Sequence, residues 1–152
     1  MKRWTTLVAL LAAAIAAPAA ADAPRNAYEQ AAVDAVQAHI NVYRGWDLDA
    51  FVQTFTDDAM VMVNGEAFDG HARIRDYYAS TFADDPHTIR VIESGVRKGL
   101  VYITTTYTFE DGKERCCTYA QYFVKDGKIA YLDVKISGRP QLVRRAEDET
   151  QP

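Results

Sequence analysis

The stretch Tyr43–Tyr78, YRGWDLDAFVQTFTDDAMVMVNGEAFDGHARIRDYY, decides how the rest of the chain is read. Just upstream, Ala27 to Arg44 lacks Pro and Gly, and Tyr28, Ala32, Val36, His39 and Tyr43 recur at helical spacing. Asn26 is placed to cap that helix and Gly45 to end it. Asp47 opens a second, shorter helix over Leu48–Phe55, whose apolar set is Phe51, Val52 and Phe55. Thr56-Asp57-Asp58 breaks it, the two carboxylates serving turns and helix ends. Ala59–Val63 is an apolar run suited to a buried strand. Asn64-Gly65 then signals a hairpin, because both residues tolerate the positive φ that a tight turn demands. After Glu66–Phe68 and Asp69-Gly70, a third helix runs from His71 or Ala72 to Phe82, with Ile74, Tyr77, Tyr78 and Phe82 inward.

Beyond Asp84-Asp85-Pro86 the apolar period changes from helical to about two. Thr88–Val96 is a strand with Gly95 as a bend or bulge. Leu100–Phe109 is a long strand rich in Thr and Tyr. Glu114–Val124 and Lys128–Ser137 follow, joined by turns at Glu110–Lys113 and Asp126-Gly127. In the last strand Leu132, Val134 and Ile136 alternate with Tyr131, Asp133 and Lys135, so the two faces differ in polarity. Helices first and hairpins afterwards predict an α+β fold: three N-terminal helices packed on one face of a curved antiparallel sheet, a cone-shaped half-barrel. The outer sheet face keeps Phe123 and Tyr131 among charged neighbours, and a homodimer through that face is expected.

The first 21 residues read as a secretory signal peptide: Lys2 and Arg3, an uncharged apolar run over Thr6–Ala17, and small residues at Ala19–Ala21. The run is short of the ~20 apolar residues that span a bilayer. An exported protein, periplasmic or secreted, is expected, with the domain over 22–138 and a polar tail over 139–152. Removing Lys2 and Arg3 from 17 basic residues leaves 15 against 21 acidic ones, a formal charge of −6. That balance argues against nucleic acid, whose phosphates select Lys and Arg. No later segment is apolar enough to span a membrane. Cys116 and Cys117 are the only cysteines. Neighbours on a strand point to opposite faces, so one is expected in the core and one outside, with an inter-chain bridge as the alternative.

Two motifs, Tyr43-x-x-x-Asp47-Leu48-Asp49-Ala50-Phe51-x-x-x-Phe55-x-Asp57-Asp58-Ala59 and Asp69-Gly70-x-x-x-Ile74-x-x-Tyr77-Tyr78, resemble the nuclear transport factor 2-like superfamily. So does the late Asp126-Gly127-Lys128-Ile129. The superfamily includes ketosteroid isomerases, scytalone dehydratase and SnoaL-like polyketide cyclases. The resemblance implies a cone with a pocket between sheet and helices, commonly in a dimer. Set against ketosteroid isomerase, the catalytic carboxylate falls near Val63 and the protonated acid near Ala120, neither able to transfer a proton. The oxyanion tyrosine falls near His39, and a pocket-lining tyrosine matches Tyr78.

His39 is therefore the candidate acid or base: it lies on the apolar face of the first helix, and imidazole titrates nearest neutrality. Its bland alternative is a core histidine tied to a hydroxyl or carbonyl. His71, at the start of the third helix, reads as exposed and structural, and His87 as a loop residue. The three histidines are too scattered for a helical metal motif, and no metal or cofactor is implied. Tyr43, Phe55, Val63, Tyr78, Thr118, Ala120 and Tyr122 are the expected ligand-binding residues. The inward face of Leu100–Phe109 stays open between Val101, Ile103, Thr105, Tyr107 and a set of Tyr102 with three threonines. Three readings follow: a protein that binds a small apolar or aromatic molecule; a lyase or isomerase with His39 as proton shuttle; or a dimeric interaction module whose cone is filled by side chains.

Overall fold

The computed structural model describes residues 23–84 and 86–136. The leader over 1–21 and the tail over 139–152 lie outside the described residues. Helix α1 (Ala27–Arg44) begins where the Asn26 side chain accepts the Glu29 N–H at 2.9 Å. It ends at Gly45, whose N–H bonds back to Asn41 and Val42. The left-handed residue is the next one, Trp46, at φ 55. Its ring lies against Tyr43, Phe82 and His87 at centroid distances of 5.0–5.9 Å, contacts that offset the unusual backbone.

Asp47 caps α2 (Leu48–Gln53) through the Ala50 N–H, 2.9 Å away. This helix stops two residues earlier than its apolar spacing predicts. Thr54 explains the stop: its hydroxyl turns back to the Phe51 carbonyl at 2.6 Å, and its own carbonyl accepts the Ile129 N–H at 2.9 Å. Phe55 consequently opens strand β1 (Phe55–Val63) instead of closing a helix. Asp57 and Asp58 sit exposed in that strand, where the pairing register shifts between Phe55 and Met60; they do not close a helix end.

Asn64 and Gly65, at φ 51 and 94, form the expected turn into β2 (Glu66–Asp69). Helix α3 (Gly70–Asp84) follows directly. Strands β3 (His87–Arg97), β4 (Leu100–Phe109), β5 (Glu114–Lys125) and β6 (Lys128–Ile136) run antiparallel in sequence. The bulge in β3 falls between Val91 and Glu93 rather than at Gly95.

The six strands make one sheet in the order β2-β1-β6-β5-β4-β3. It is mixed rather than wholly antiparallel, because β1 lies parallel to β6. The helices cover one face of this curved, unclosed sheet, which is the α+β cone. Register stacks inward residues into rows. One runs Val61–Leu132–Tyr122–Val101, the next Val63–Val134–Ala120–Ile103, and a third Ile136–Thr118–Thr105. Phe51, Phe55, Val52 and Ile74 from the helices and β1 close over the first row, each at most 1% exposed. Burying side chains of this size contributes about 1.5–3 kcal/mol apiece, so the helix-covered end of the cone is its stable end.

Candidate functional site

The sheet curves away from the helices beyond the second row and leaves an interior of about 430 Å3. That exceeds the ~300 Å3 at which ligand sites begin, so side chains do not fill the cone. At its deep end lie His39, Phe51, Tyr122 and Leu132; at its open end, Phe109, Arg115 and Ile136. Among the described residues that line it there is no carboxylate, and no group of three or more His, Cys, Asp or Glu gathers to hold a metal.

His39 reaches the wall from the fourth turn of α1. It is 4% exposed and packs against Phe51, Phe55 and Tyr122 at 4.8, 5.0 and 5.6 Å between centroids. Its Nδ1 lies 2.7 Å from the Thr54 hydroxyl. The single proton of that hydroxyl goes to the Phe51 carbonyl, which can only accept. Nδ1 therefore carries the imidazole proton and donates. Nε2 is left as an acceptor with no partner among the described residues, on a side chain that lines the cavity. Burial lowers the pKa of His39 from 6.5 to about 3, because the cation would have no water around it.

Two phenols stand near it. Tyr78 rests against Phe51 at 4.8 Å, and burial pushes its pKa well above the ordinary tyrosine value; burial pushes Tyr122 up likewise. Neither hydroxyl has a hydrogen bond to another described residue. Both stay protonated at any ordinary pH, so the deep end offers two neutral donors and one neutral acceptor. Tyr43 closes one side of the cavity, its hydroxyl 2.8 Å from His87 Nε2.

Of the ligand-binding residues expected from sequence, Tyr43, Val63, Tyr78, Thr118, Ala120 and Tyr122 lie on the wall together with His39. Phe55 does not: it is fully buried behind His39. On β4 the inward set is Ile103, Thr105, Tyr107 and Phe109. Val63 and Ala120, the positions matched to an acid and a base by resemblance, share the row Val63–Val134–Ala120–Ile103 and make it an apolar stripe.

The profile of the SnoaL-like domain matches residues 36–132, most of the chain. The chain belongs to the SnoaL-like family. The wider resemblance to the nuclear transport factor 2-like superfamily holds with it. No curated protein matches the sequence. Among solved structures the chain is similar to SalBIII, an epoxide hydrolase/cyclase-like enzyme with a role in pyran ring formation in salinomycin. That pair is 19% identical, with a TM-score of 0.62 over 70% of this chain and 91% of that one. An NTF2-like protein from Mesorhizobium loti matches at 12% identity and a TM-score of 0.64, over 76% and 98% of the two chains. A computationally designed 17-OHP binder matches at 15% and 0.61, over 70% and 94%. At such identities these likenesses describe the fold alone.

Three wall residues of this SnoaL-like domain depart from the sequence reading. His87 is no loop residue: β3 starts immediately after Pro86, and His87 is 9% exposed among Tyr107, Phe109, Trp46 and Tyr43. Cys116 and Cys117 do not split between the two faces. They are joined by a vicinal disulfide and both line the cavity. The cause is a bulge, in which Thr105 pairs with Thr118 but Thr106 with Cys116, leaving Cys117 as the extra residue. His71 is half-buried and structural, its Nε2 3.1 Å from the Phe55 carbonyl.

Proposed function

We propose that this SnoaL-like protein is exported and binds a small, flat, mainly apolar molecule in the cone. The observation that carries the reading is the wall itself. Phe51, Tyr78, Tyr107, Phe109 and Tyr122 surround 430 Å3 with aromatic surface, and the only polar atoms at its deep end are neutral. Aromatic side chains present flat area with few rotamers to freeze, which suits a planar guest. The designed binder of 17-OHP uses the same fold, and the two phenols, without a hydrogen-bond partner among the described residues, match a carbonyl or hydroxyl on such a guest. The leader over 1–21 supports export, and the half-apolar outer sheet face supports a homodimer. A native mass spectrum of protein purified from its own host is expected to give twice the mature mass plus a retained small molecule. Bare protein that also fails to bind 2-naphthol by calorimetry would defeat the reading.

A second reading, a lyase or isomerase using His39, is favoured by the unprotonated Nε2 lining the cavity. SalBIII, an epoxide hydrolase/cyclase-like enzyme, shares this fold. On this reading His39→Ala abolishes turnover and leaves a cooperatively folded protein. If the variant keeps turnover and only melts earlier, His39 is a packing residue.

A further inference from the structure

The bulge at Cys117 also changes what stands at the mouth of the cone. Counting back from Thr118, which faces inward opposite Thr105, regular alternation would put Cys116 and Glu114 inside and Arg115 outside. The extra residue at Cys117 shifts the register by one. Arg115 therefore pairs with Tyr107, an inward residue, and Glu114 pairs with Thr108 and turns outward to Arg90. Arg115 thus joins the cavity wall, its guanidinium 4.1 Å from the centre of the Phe109 ring. Among the described residues it has no ion-pair partner, and none that lines the cavity carries a carboxylate to neutralise it. His87 packs on the same Phe109 ring at 5.1 Å.

A guanidinium held over an aromatic ring, at the open end of an aromatic cavity that no described carboxylate lines, has one evident complement. We propose that the ligand is an aromatic carboxylate: its ring system occupies the cone toward Tyr78 and Tyr122, and its carboxylate is held at the mouth by Arg115. The fork of Arg matches two carboxylate oxygens, and Phe109 fixes the guanidinium plane before the ligand arrives. The position also explains the placement of charge. An anion buried at the apolar row of Val63 and Ala120 would lose its water without compensation. At the mouth it keeps part of its hydration and gains the cation.

This proposal rests on the pocket reading above, and one titration separates the two. Calorimetry at low salt and neutral pH compares 2-naphthoate with 2-naphthol, the same ring carrying an anionic or a neutral group. The wild type is expected to bind 2-naphthoate about tenfold more tightly, the scale of one charge-assisted hydrogen-bonded pair, with the preference shrinking as salt is added. Arg115→Gln should erase the preference and Arg115→Glu reverse it, while Arg115→Lys keeps part. Arg115 is exposed, so these variants are expected to fold, which a thermal melt checks. Binding of 2-naphthol with no preference for 2-naphthoate, or a preference that survives Arg115→Gln, overturns the anion site and leaves the pocket standing. Binding of neither compound overturns both.

Discussion

His39 links packing to protonation. In the folded protein its pKa is about 3, and burial is the cause; in the unfolded chain it returns to 6.5. Between those values the unfolded state binds a proton that the folded state refuses. Stability is therefore complete above about pH 6.5 and falls as the pH drops, by about 1.4 kcal/mol per unit, until about pH 3. Glu29 also loses stability in acid, since hydrogen bonds from Arg25 hold its carboxyl below the ordinary value. That loss comes only as the pH falls below the usual carboxylate range. The window between pH 6.5 and 5 thus separates His39 from Glu29. Urea unfolding across that window should show a slope for the wild type that is steeper than that of His39→Ala by about 1.4 kcal/mol per pH unit. Equal slopes would mean that His39 is charged in the folded protein. The same low pKa bears on chemistry: a neutral Nε2 is always available at pH 7, but it is a weak base, better suited to accepting a hydrogen bond than to pulling off an unactivated proton.

At the scale of elements, turns were legible in the sequence and registers were not. Asn64-Gly65 and Asp126-Gly127 carry positive φ at both positions, as their residue types demand, and they fix two hairpins. Asn26 and Asp47 cap the helices they were expected to cap. The alternation of Leu132, Val134 and Ile136 placed the two faces of β6, whereas the pocket positions of Val63, Thr118, Ala120 and Tyr122 followed from the family resemblance and not from periodicity. Arg115, Cys117 and His87 escaped for specific reasons. A bulge inserts one residue and inverts the parity of everything before it, and nothing in Glu114-Arg115-Cys116-Cys117 announces it. The end of α2 escaped because Thr54 is claimed by Ile129, which is 75 positions away and belongs to a strand that helical spacing knows nothing of. The disulfide in this bulge closes the shortest loop two cysteines can make. In the chain-entropy view a loop that short restrains the unfolded state very little, about 1 kcal/mol against the 2–5 usual for native bridges. Replacing both residues, Cys116→Ser with Cys117→Ser, is accordingly expected to leave the melting temperature within a few degrees. A larger drop would show that the sulfur pair packs the wall of the cone rather than merely closing a loop.

The whole molecule is held together by its least local pairing. β1 cannot complete its place in the sheet until β6, the last strand, arrives beside it in parallel. Once it does, register also builds the outer face: Met60 lies beside Tyr131, and Tyr131 beside Phe123, across β1, β6 and β5. Met60 and Phe123 remain 42% and 40% exposed. The next row is Met62, Asp133 and Gln121, so the face is an apolar band edged by polar groups. The cone opens on the other side of the sheet, and covering this band with a second copy would leave the mouth at Arg115 free. A partner on the helix side would instead have to compete with the ligand. We therefore expect analytical ultracentrifugation to find a dimer at micromolar concentration, and Phe123→Lys to convert it to a monomer by setting a charge within the band, beside Tyr131. The proposed ligand supplies the control. Phe123→Lys should bind 2-naphthoate within about threefold of the wild type, well under one 1.4 kcal/mol tenfold step, because no residue of the outer row lines the cavity. A wild type that sediments as a monomer would remove the dimer, and a monomeric variant that loses the ligand would mean that the sheet keeps its curvature only when paired.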